Sequence, residues 1–282
     1  MAIELNEQQE ACIPKVAFEL IPIKDLVSSQ DYQRSLSEGH IIGAVKDFDV
    51  FQINPVKVSR RDGINYVFDG QHTIEIVASK SGSRETPVWC MVYEDLLYQE
   101  EAHIFAEQQR HVKSLVPFET FRAHLEANDE KQTMINDLVR SYGLEIMSSA
   151  KLGAICAVGA LESIYDKYGY HVLDGTLRLI LATWEGEPSS LSGNFLKAIA
   201  RIIVTYSDAL REDIFKEHVG RCSVKAIIRN AKERHPGVIG YAEAMMIAYN
   251  AKSKYRLSMR KLYGKSDDEE SREIEDDEDD TI

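Results

Sequence analysis

The segment that decides the fold is Tyr66–Val77, with the sequence YVFDGQHTIEIV. Its first part has the character of a β-strand, and that strand stops at Asp69-Gly70. After three polar residues the pattern becomes helical, with Ile74 and Val77 on one face. A strand that ends at glycine and restarts as a helix directs unpaired backbone N–H groups, and the positive end of the helix dipole, at the space above the turn. This predicts an anion or phosphate site at Gly70, with an ordinary turn as the alternative.

Charge is distributed unevenly along the 282 residues, whose formal net charge is −13. Residues 266–282 hold eleven acidic residues against the single Arg272, a net charge of −10. So dense a block of like charge predicts a disordered tail. Residues 221–265 hold eleven basic residues against two acidic ones, a net charge of +9. This reversal favours a polyanionic partner such as nucleic acid.

The composition argues against a membrane protein and a disulfide-stapled one. No apolar run approaches the roughly 20 residues of a membrane span, and residues 1–10 lack the pattern of a signal peptide. The four cysteines (Cys12, Cys90, Cys156 and Cys222) are scattered, without a C-x-x-C pair. The histidines lack metal-ligand spacing. We therefore expect a cytoplasmic protein with no membrane partner, no disulfide framework and no zinc site.

The periodicity of the sequence changes near Pro117. Before it, strands are predicted at 16–22, 54–58, 64–68 and 87–93, and helices at 38–48, 70–80 and 95–109. After it the pattern is helical, in segments 118–128, 130–142, 151–168, 172–185, 192–218, 222–234 and 240–262. Trp89 is predicted to lie in the core. The predicted domains are therefore 1–117, which is mixed α/β, and 118–265, which is all-α, with 266–282 as the acidic tail.

The pieces before Pro117 resemble, in order, the N-terminal domain of the ParB/sulfiredoxin superfamily. Asp31-Tyr32-Gln33-Arg34 resembles its first box, and Asp69–Thr73 resembles its D-G-x-H-R turn. Phe105–Glu119 is similar to the helix that carries its E-N-x-x-R box and a following L-S-P. The resemblance implies an α+β fold: a ParB/sulfiredoxin-like mixed α/β domain followed by an all-α domain, here with a disordered acidic tail.

The resemblance also implies a ligand and the residues that bind it. The ligand would be a nucleoside triphosphate, CTP or ATP, with Mg²⁺. The nucleotide-binding residues would be Gln33, Arg34, Gly70, Gln71, His72, Thr73 and Gln109. Asp69 would cap the turn or help to hold the metal ion, and Asp69 and His72 are the candidate catalytic acid and base.

Three departures from the family pattern limit what is carried over. Thr73 stands where the turn usually ends in arginine, so one charged phosphate donor is missing. Gln71 occupies the position of the cysteine that sulfiredoxin chemistry requires, which argues against that activity. The third box has two registers: one aligns Gln108 and Gln109 with its Glu and Asn, and the other uses Glu107 and Arg110.

Three functions follow as hypotheses. The first is a nucleotide-binding, DNA-associated protein of a plasmid, phage or integrated mobile element, with a homodimer left open. Its DNA contacts would come from Lys252, Arg256 and Arg260, which recur every four residues on the helix predicted at 240–262. A helix-turn-helix is a weaker expectation, with its turn at 141–146. The second is an enzyme, a nucleotide hydrolase, phosphotransferase or nuclease that uses the Asp69–Thr73 turn. The third is a decayed ligand site in a domain that mediates protein contacts.

Overall fold

The structure is a computed structural model that describes residues 5–28, 32–33, 35–111 and 114–264. The predictions made for Arg34 and for the acidic tail at 266–282 fall outside the described residues. The chain divides into two compact units, Met1–Lys113 and Ser114–Ile282. We call these the N-terminal unit and the C-terminal unit and describe each by itself.

A five-stranded mixed sheet forms the centre of the N-terminal unit. Its strands are β1 (Ala17–Pro22), β2 (Leu26–Val27), β3 (Val56–Arg61), β4 (Ile64–Asp69) and β5 (Pro87–Glu94), in the order β1-β5-β3-β4-β2. β3 is antiparallel to β4 and parallel to β5. Asp62 (φ 51°) and Gly63 (φ 76°) form the two-residue loop that joins β3 to β4. Positive φ at both positions gives a turn whose twist matches that of the strands, so the hairpin is set by local sequence.

The described part of the N-terminal unit also contains helices α1 (Glu7–Glu10), α2 (Glu38–Lys46), α3 (Gln71–Ser81) and α4 (Tyr98–His111). Ile74 of α3 is buried with Val56, Val67 and other strand residues in one apolar cluster. On β5, Cys90 is buried whereas Trp89 is 55% exposed. The prediction that Trp89 lies in the core is therefore wrong. Successive residues of a strand face opposite sides of the sheet. On β5 the buried side holds Val88, Cys90 and Val92, and Trp89 lies on the other side.

The C-terminal unit is mainly helical. Its helices are α5 (Pro117–Glu126), α6 (Glu130–Ser141), α7 (Val158–Tyr168), α8 (Tyr170–Trp184), α9 (Gly193–Tyr206), α10 (Glu212–Val219), α11 (Val224–Arg234) and α12 (Val238–Asn250). α9 lies at the centre and packs against α7, α8 and α12. Two short parallel strands, β6 (Glu145–Ile146) and β7 (Ala154–Ile155), precede α7. The fold class is thus the predicted one, a mixed α/β unit followed by a helical one.

Several helix predictions in this unit are wrong. The segment predicted at 192–218 is divided into α9 and α10, and the segment predicted at 151–168 becomes helical only at Val158. The proposed helix-turn-helix around 141–146 does not form, because the chain leaves α6 and enters β6. The helix predicted at 240–262 ends at Asn250, and a short 3₁₀ helix follows only at Arg260–Tyr263. The Asn250 amide donates to the Leu257 carbonyl (2.8 Å) and accepts from the Leu257 N–H (2.9 Å). This side chain closes a loop at 251–257, and an asparagine that bonds the backbone in this way competes with helix propagation.

The same loop changes the interpretation of the predicted nucleic-acid-binding residues. Lys252 has a positive φ of 58°, and Lys252 and Arg256 are exposed on the loop, whereas Arg260 begins the 3₁₀ helix. Lys252, Arg256 and Arg260 therefore do not share a helix face. Separately, within the ranges the structure describes, no helix is long and apolar enough to cross a bilayer.

Candidate functional site

The turn between β4 and α3 is built on Gly70. Its φ of 102° lies in the region that favours glycine. A Cβ placed on Gly70 would lie 3.2 Å from the Cα of Val56 and 3.3 Å from its Cγ2. Val56 is fully buried in β3, so neither the backbone nor the side chain can retreat cheaply. Both the dihedral angle and this close approach require glycine at position 70.

The backbone N–H donors in the first turn of α3 face a cavity. Gly70 is the N-cap and contributes no side-chain acceptor, and the first intrahelical bond runs from the Ile74 N–H to the Gly70 carbonyl (3.1 Å). The N–H groups of Gln71, His72 and Thr73 therefore have no acceptor one turn earlier within the helix. Their alignment with the helix dipole favours a negatively charged group at this end.

The cavity above this turn has a volume of about 420 Å³. Its described lining is Gln33, Ser35, Ser37, His40, Phe68, Asp69, Gly70, Gln71, His72, Thr73 and Phe105. Six of the predicted site residues thus surround one cavity, namely Gln33, Asp69, Gly70, Gln71, His72 and Thr73. The volume lies within the range of about 300–1,000 Å³ that is typical of small-molecule sites.

Two side chains hold the described part of the first-box loop, Tyr32 and Gln33. The Gln33 amide donates a hydrogen bond to the Val67 carbonyl of β4 (2.7 Å). The Tyr32 hydroxyl donates to Oε2 of Glu101 on α4 (3.2 Å). Burial, and then the neighbouring Glu101 carboxylate, raise the pKa of Tyr32, so its hydroxyl stays protonated and acts as a donor. These bonds fix Gln33 against the strand that leads into Gly70, and Tyr32 against α4.

Glu101 is itself a fully buried carboxylate. Its Oε1 lies 3.1 Å from Nε of Arg61, which is three-quarters buried on β3. The two atoms do not align as a hydrogen bond, so the contact is an ion pair. The Arg61 guanidinium also stacks 4.2 Å from the centroid of the Tyr66 ring. A buried ion pair between β3 and α4 therefore supports the first-box loop.

His72 contacts a second helix end. Its Nε2 accepts a hydrogen bond from the N–H of Ser37 (3.2 Å), so neutral His72 carries its proton on Nδ1. Ser37 is the N-cap of α2, and its hydroxyl accepts from the His40 N–H (3.4 Å). The His40 and His72 rings meet edge to face, with centroids 5.5 Å apart. The start of α2 and the start of α3 thus line the same cavity.

The Asp69 carboxylate also lines the cavity. No hydrogen bond or ion pair reaches it from the ranges that the structure describes, and it does not cap α3. Those ranges also contain no cluster of three or more His, Cys, Asp or Glu side chains suited to a metal ion. Within the described ranges Asp69 is therefore a carboxylate that faces the cavity without a protein partner.

The remaining predicted residues are placed as follows. Arg34 is outside the described residues. Gln109 lies in α4, one turn after Phe105, and its side chain is outside the described part. In the alternative register of the third box, Arg110 pairs with Glu107 on the surface (2.8 Å), and neither lines the cavity. The sequence analysis missed Ser35, Ser37 and His40 as lining residues. Ser37 was recognisable as an N-cap, because serine stands directly before the helix predicted at 38–48.

A family model matches residues 27–261, which is most of the chain. It describes a family of unknown function, DUF6551. The chain belongs to the DUF6551 family. None of the curated proteins compared with this DUF6551 protein matches it.

Ten solved chains match this DUF6551 protein. One is the C-terminally truncated chromosome-partitioning protein ParB from Caulobacter crescentus, crystallised with CTP-γ-S. The match has a TM-score of 0.39 and 16% sequence identity, and it covers 57% of this chain and 99% of the ParB chain. The comparison thus returns the ParB-like structure that the sequence resemblance named. At this identity and TM-score it assigns neither ligand nor activity.

Proposed function

We propose that this protein binds a nucleoside triphosphate, CTP or ATP with Mg²⁺, with its phosphates at the start of α3, and that it associates with DNA. The observation that carries the nucleotide proposal is the cavity of about 420 Å³ over Gly70, which six sequence-predicted site residues line. Backbone donors and the helix dipole provide the phosphate contacts. Gln33 and His72 border the same space and hold the surrounding loops.

The lining is compatible with a metal-bound triphosphate. Asp69 is the one carboxylate among the lining residues that the structure describes, and a carboxylate repels free phosphate. Mg²⁺ removes this repulsion, because it is held in proteins by one or two carboxylates together with substrate phosphates. In this proposal Asp69 is the protein ligand of the Mg²⁺ ion. Arg34 is the fixed cation that the sequence predicts beside the phosphates.

Replacing Asp69 with asparagine is expected to change the metal dependence of binding. The wild type should bind the nucleotide much more tightly with Mg²⁺ than without it. In Asp69→Asn the repulsion and the metal ligand are both lost, so the two affinities should converge. Calorimetric titration with and without Mg²⁺ measures this. An unchanged ratio of the two affinities in the variant contradicts the role of Asp69.

Replacing Gly70 with alanine is expected to destabilise the N-terminal unit and to abolish nucleotide binding. A non-glycine residue at φ 102° costs about 1–3 kcal/mol, and the contact with Val56 adds to it. Gly82→Ala is the matched control, because Gly82 also has a positive φ, of 70°, but has open space around its Cβ position and lies at the other end of α3. Urea unfolding and titration of both variants provide the comparison. If Gly70→Ala folds and still binds the nucleotide as tightly as the wild type, the phosphates do not lie at the start of α3.

A thermal-shift panel of CTP, ATP, GTP and ADP, with and without Mg²⁺, tests the nucleotide proposal. A ligand at about 100 times its Kd stabilises the folded protein by about 2.7 kcal/mol, which a melting curve detects readily. Stabilisation by one triphosphate that depends on Mg²⁺ is the expected result. No shift with any nucleotide at millimolar concentration favours the third hypothesis, a domain that has lost its ligand site.

The DNA proposal is supported by exposed cations of the C-terminal unit. On α11, Lys225, Arg229 and Lys232 follow at i, i+4 and i+7, so they share one exposed helix face. The opposite face buries Val224, Ile227 and Ala231. The loop at 251–257 adds exposed Lys252, Lys254 and Arg256, and the Asn250 bonds close this loop. Cations in rows of this kind suit a phosphate backbone.

Hydrolysis of the nucleotide or of a DNA phosphodiester is the second candidate function. Its support is that Asp69 and His72 line one cavity and that the Asp69 carboxylate has no partner in the described ranges. Asp69 would act with the metal ion, and His72 would transfer a proton. Metal-dependent release of phosphate or nicking of DNA that disappears in His72→Ala is the expected signature. Tight binding without turnover by the wild type excludes it.

A further inference from the structure

A second cavity lies wholly within the C-terminal unit. Its volume is about 750 Å³. Its lining comes from the start of α5, the segment before α7, the first turns of α7 and α9, and two side chains, Lys197 and Tyr241. We propose that this cavity is a binding site for a phosphate-type oxyanion, separate from the site at Gly70.

Two helix N-termini meet at this cavity. Ala157 and Val158 begin α7, while Ser192 and Gly193 begin α9, and no side chain caps either helix. A Cβ on Gly193 would lie 3.6–3.7 Å from the Cβ atoms of Ala160 and Ala157, so the first turns are in contact. Their free N–H groups and the positive ends of both dipoles therefore act on the same space.

Tyr241 supplies an independent sign of a ligand. It is 9% exposed and its ring packs edge to face on Phe195, with centroids 5.6 Å apart. Its hydroxyl forms no hydrogen bond within the described part of the chain. That hydroxyl is not sealed in the interior, since the side chain lines the cavity. A tyrosine buried to this extent usually bonds its hydroxyl to a partner, and here a ligand in the cavity can be that partner.

Lys197 gives the cavity its charge. It is half-buried in the second turn of α9, and no carboxylate within the described ranges pairs with its ammonium group. The lining residues include no Asp or Glu. Lys197 lies nearer the positive end of the α9 dipole than the negative end, so this dipole does not stabilise its ammonium group. An anion between the two helix ends and Lys197 would satisfy the ammonium, the N–H groups and the Tyr241 hydroxyl together.

Cys156 provides a local reporter of occupancy. Its thiol is exposed and lines the cavity, whereas Cys12 is exposed in the N-terminal unit. Burial raises the pKa of Cys90 to about 11, so that thiol does not compete for the reagent. Alkylation of the full-length protein by iodoacetamide, followed by peptide mass spectrometry, gives the rate at each cysteine separately.

Inorganic pyrophosphate is the probe, with sodium chloride at equal ionic strength as the reference. At about ten times Kd we expect alkylation of Cys156 to slow about tenfold by mass action, with Cys12 unchanged. A short single-stranded oligonucleotide in a parallel arm shows whether a free phosphate compound or a nucleic-acid backbone is the better ligand. Unchanged Cys156 rates with both probes overturn the proposal.

Lys197→Gln tests the residue assignment. It should weaken protection by about tenfold or more, because hydrogen bonds to charged groups are the strong ones. Tyr241→Phe should weaken it less. Lys167→Gln is the matched control, since Lys167 lies in the last turn of the same α7 and stacks on Tyr168. Equal protection in Lys197→Gln and wild type, with both proteins folded by circular dichroism, also overturns the proposal.

Discussion

Arg61→Ala is expected to lower the free energy of unfolding of the N-terminal unit by about 3 kcal/mol. This is the low end of the 3–5 kcal/mol range for a broken buried ion pair, because Arg61 is a quarter exposed. The variant leaves the fully buried Glu101 carboxylate with the Tyr32 hydroxyl as a partner but without a counter-charge. Urea unfolding followed by circular dichroism measures the change. The first-box loop should also loosen, so nucleotide affinity should fall.

Arg110→Ala is the matched control for this experiment. Arg110 also pairs with a glutamate through one 2.8 Å contact, but its side chain is 73% exposed. Exposed pairs contribute about 0–1 kcal/mol, so this variant should unfold almost like the wild type. Equal, small effects of the two substitutions would show that the Arg61–Glu101 pair does not support the loop.

Replacement of Lys225, Arg229 and Lys232 with glutamine is expected to weaken DNA binding by at least about tenfold at moderate salt. Each lysine or arginine that contacts a phosphate contributes about one unit to the slope of log K against log salt, so the slope should fall by about three. Fluorescence anisotropy with a duplex over a series of KCl concentrations measures both quantities. Deletion of residues 266–282, with their net charge of −10, should have the opposite effect, because it removes negative charge that opposes binding to a polyanion.

Lys131, Lys167 and Lys151 make a suitable control triple. They carry the same total charge in the same unit, and two of them already pair with acidic side chains, Lys131 with Asp166 and Lys151 with Glu145. Their replacement with glutamine should change the affinity little. Salt-insensitive binding, or the same loss in both triple variants, would contradict a DNA-binding role for the α11 face.

The local part of the candidate site was predictable from the sequence, because its geometry depends on neighbours in the chain. The strand, the glycine and the helix of 66–77 form a continuous pattern, and the structure has β4 ending at Asp69 and α3 starting at Gln71. The requirement for glycine has a second cause, the approach of Val56. That contact joins the turn to β3, which is distant in the chain, and leaves no mark in the local pattern.

Glu101 and His40 were missed because their roles depend on tertiary contacts. Glu101 lies in an acidic run beside Glu100 and has the appearance of a solvated residue, yet Arg61 and Tyr32 make it the buried centre of the loop support. His40 joins the site only through its contact with His72.

The end of α12 was mispredicted because the Asn250 side chain, rather than a Gly or Pro signal, stops the helix.

The most direct test is an NMR titration of isotope-labelled full-length protein with CTP and with ATP, each with Mg²⁺. The account predicts that the backbone amide signals of Gly70, Gln71, His72 and Thr73 shift most, because these N–H groups would donate to the phosphates. Absence of shifts at these four amides, while the signals of other residues move on saturation, would place the nucleotide elsewhere and contradict the account.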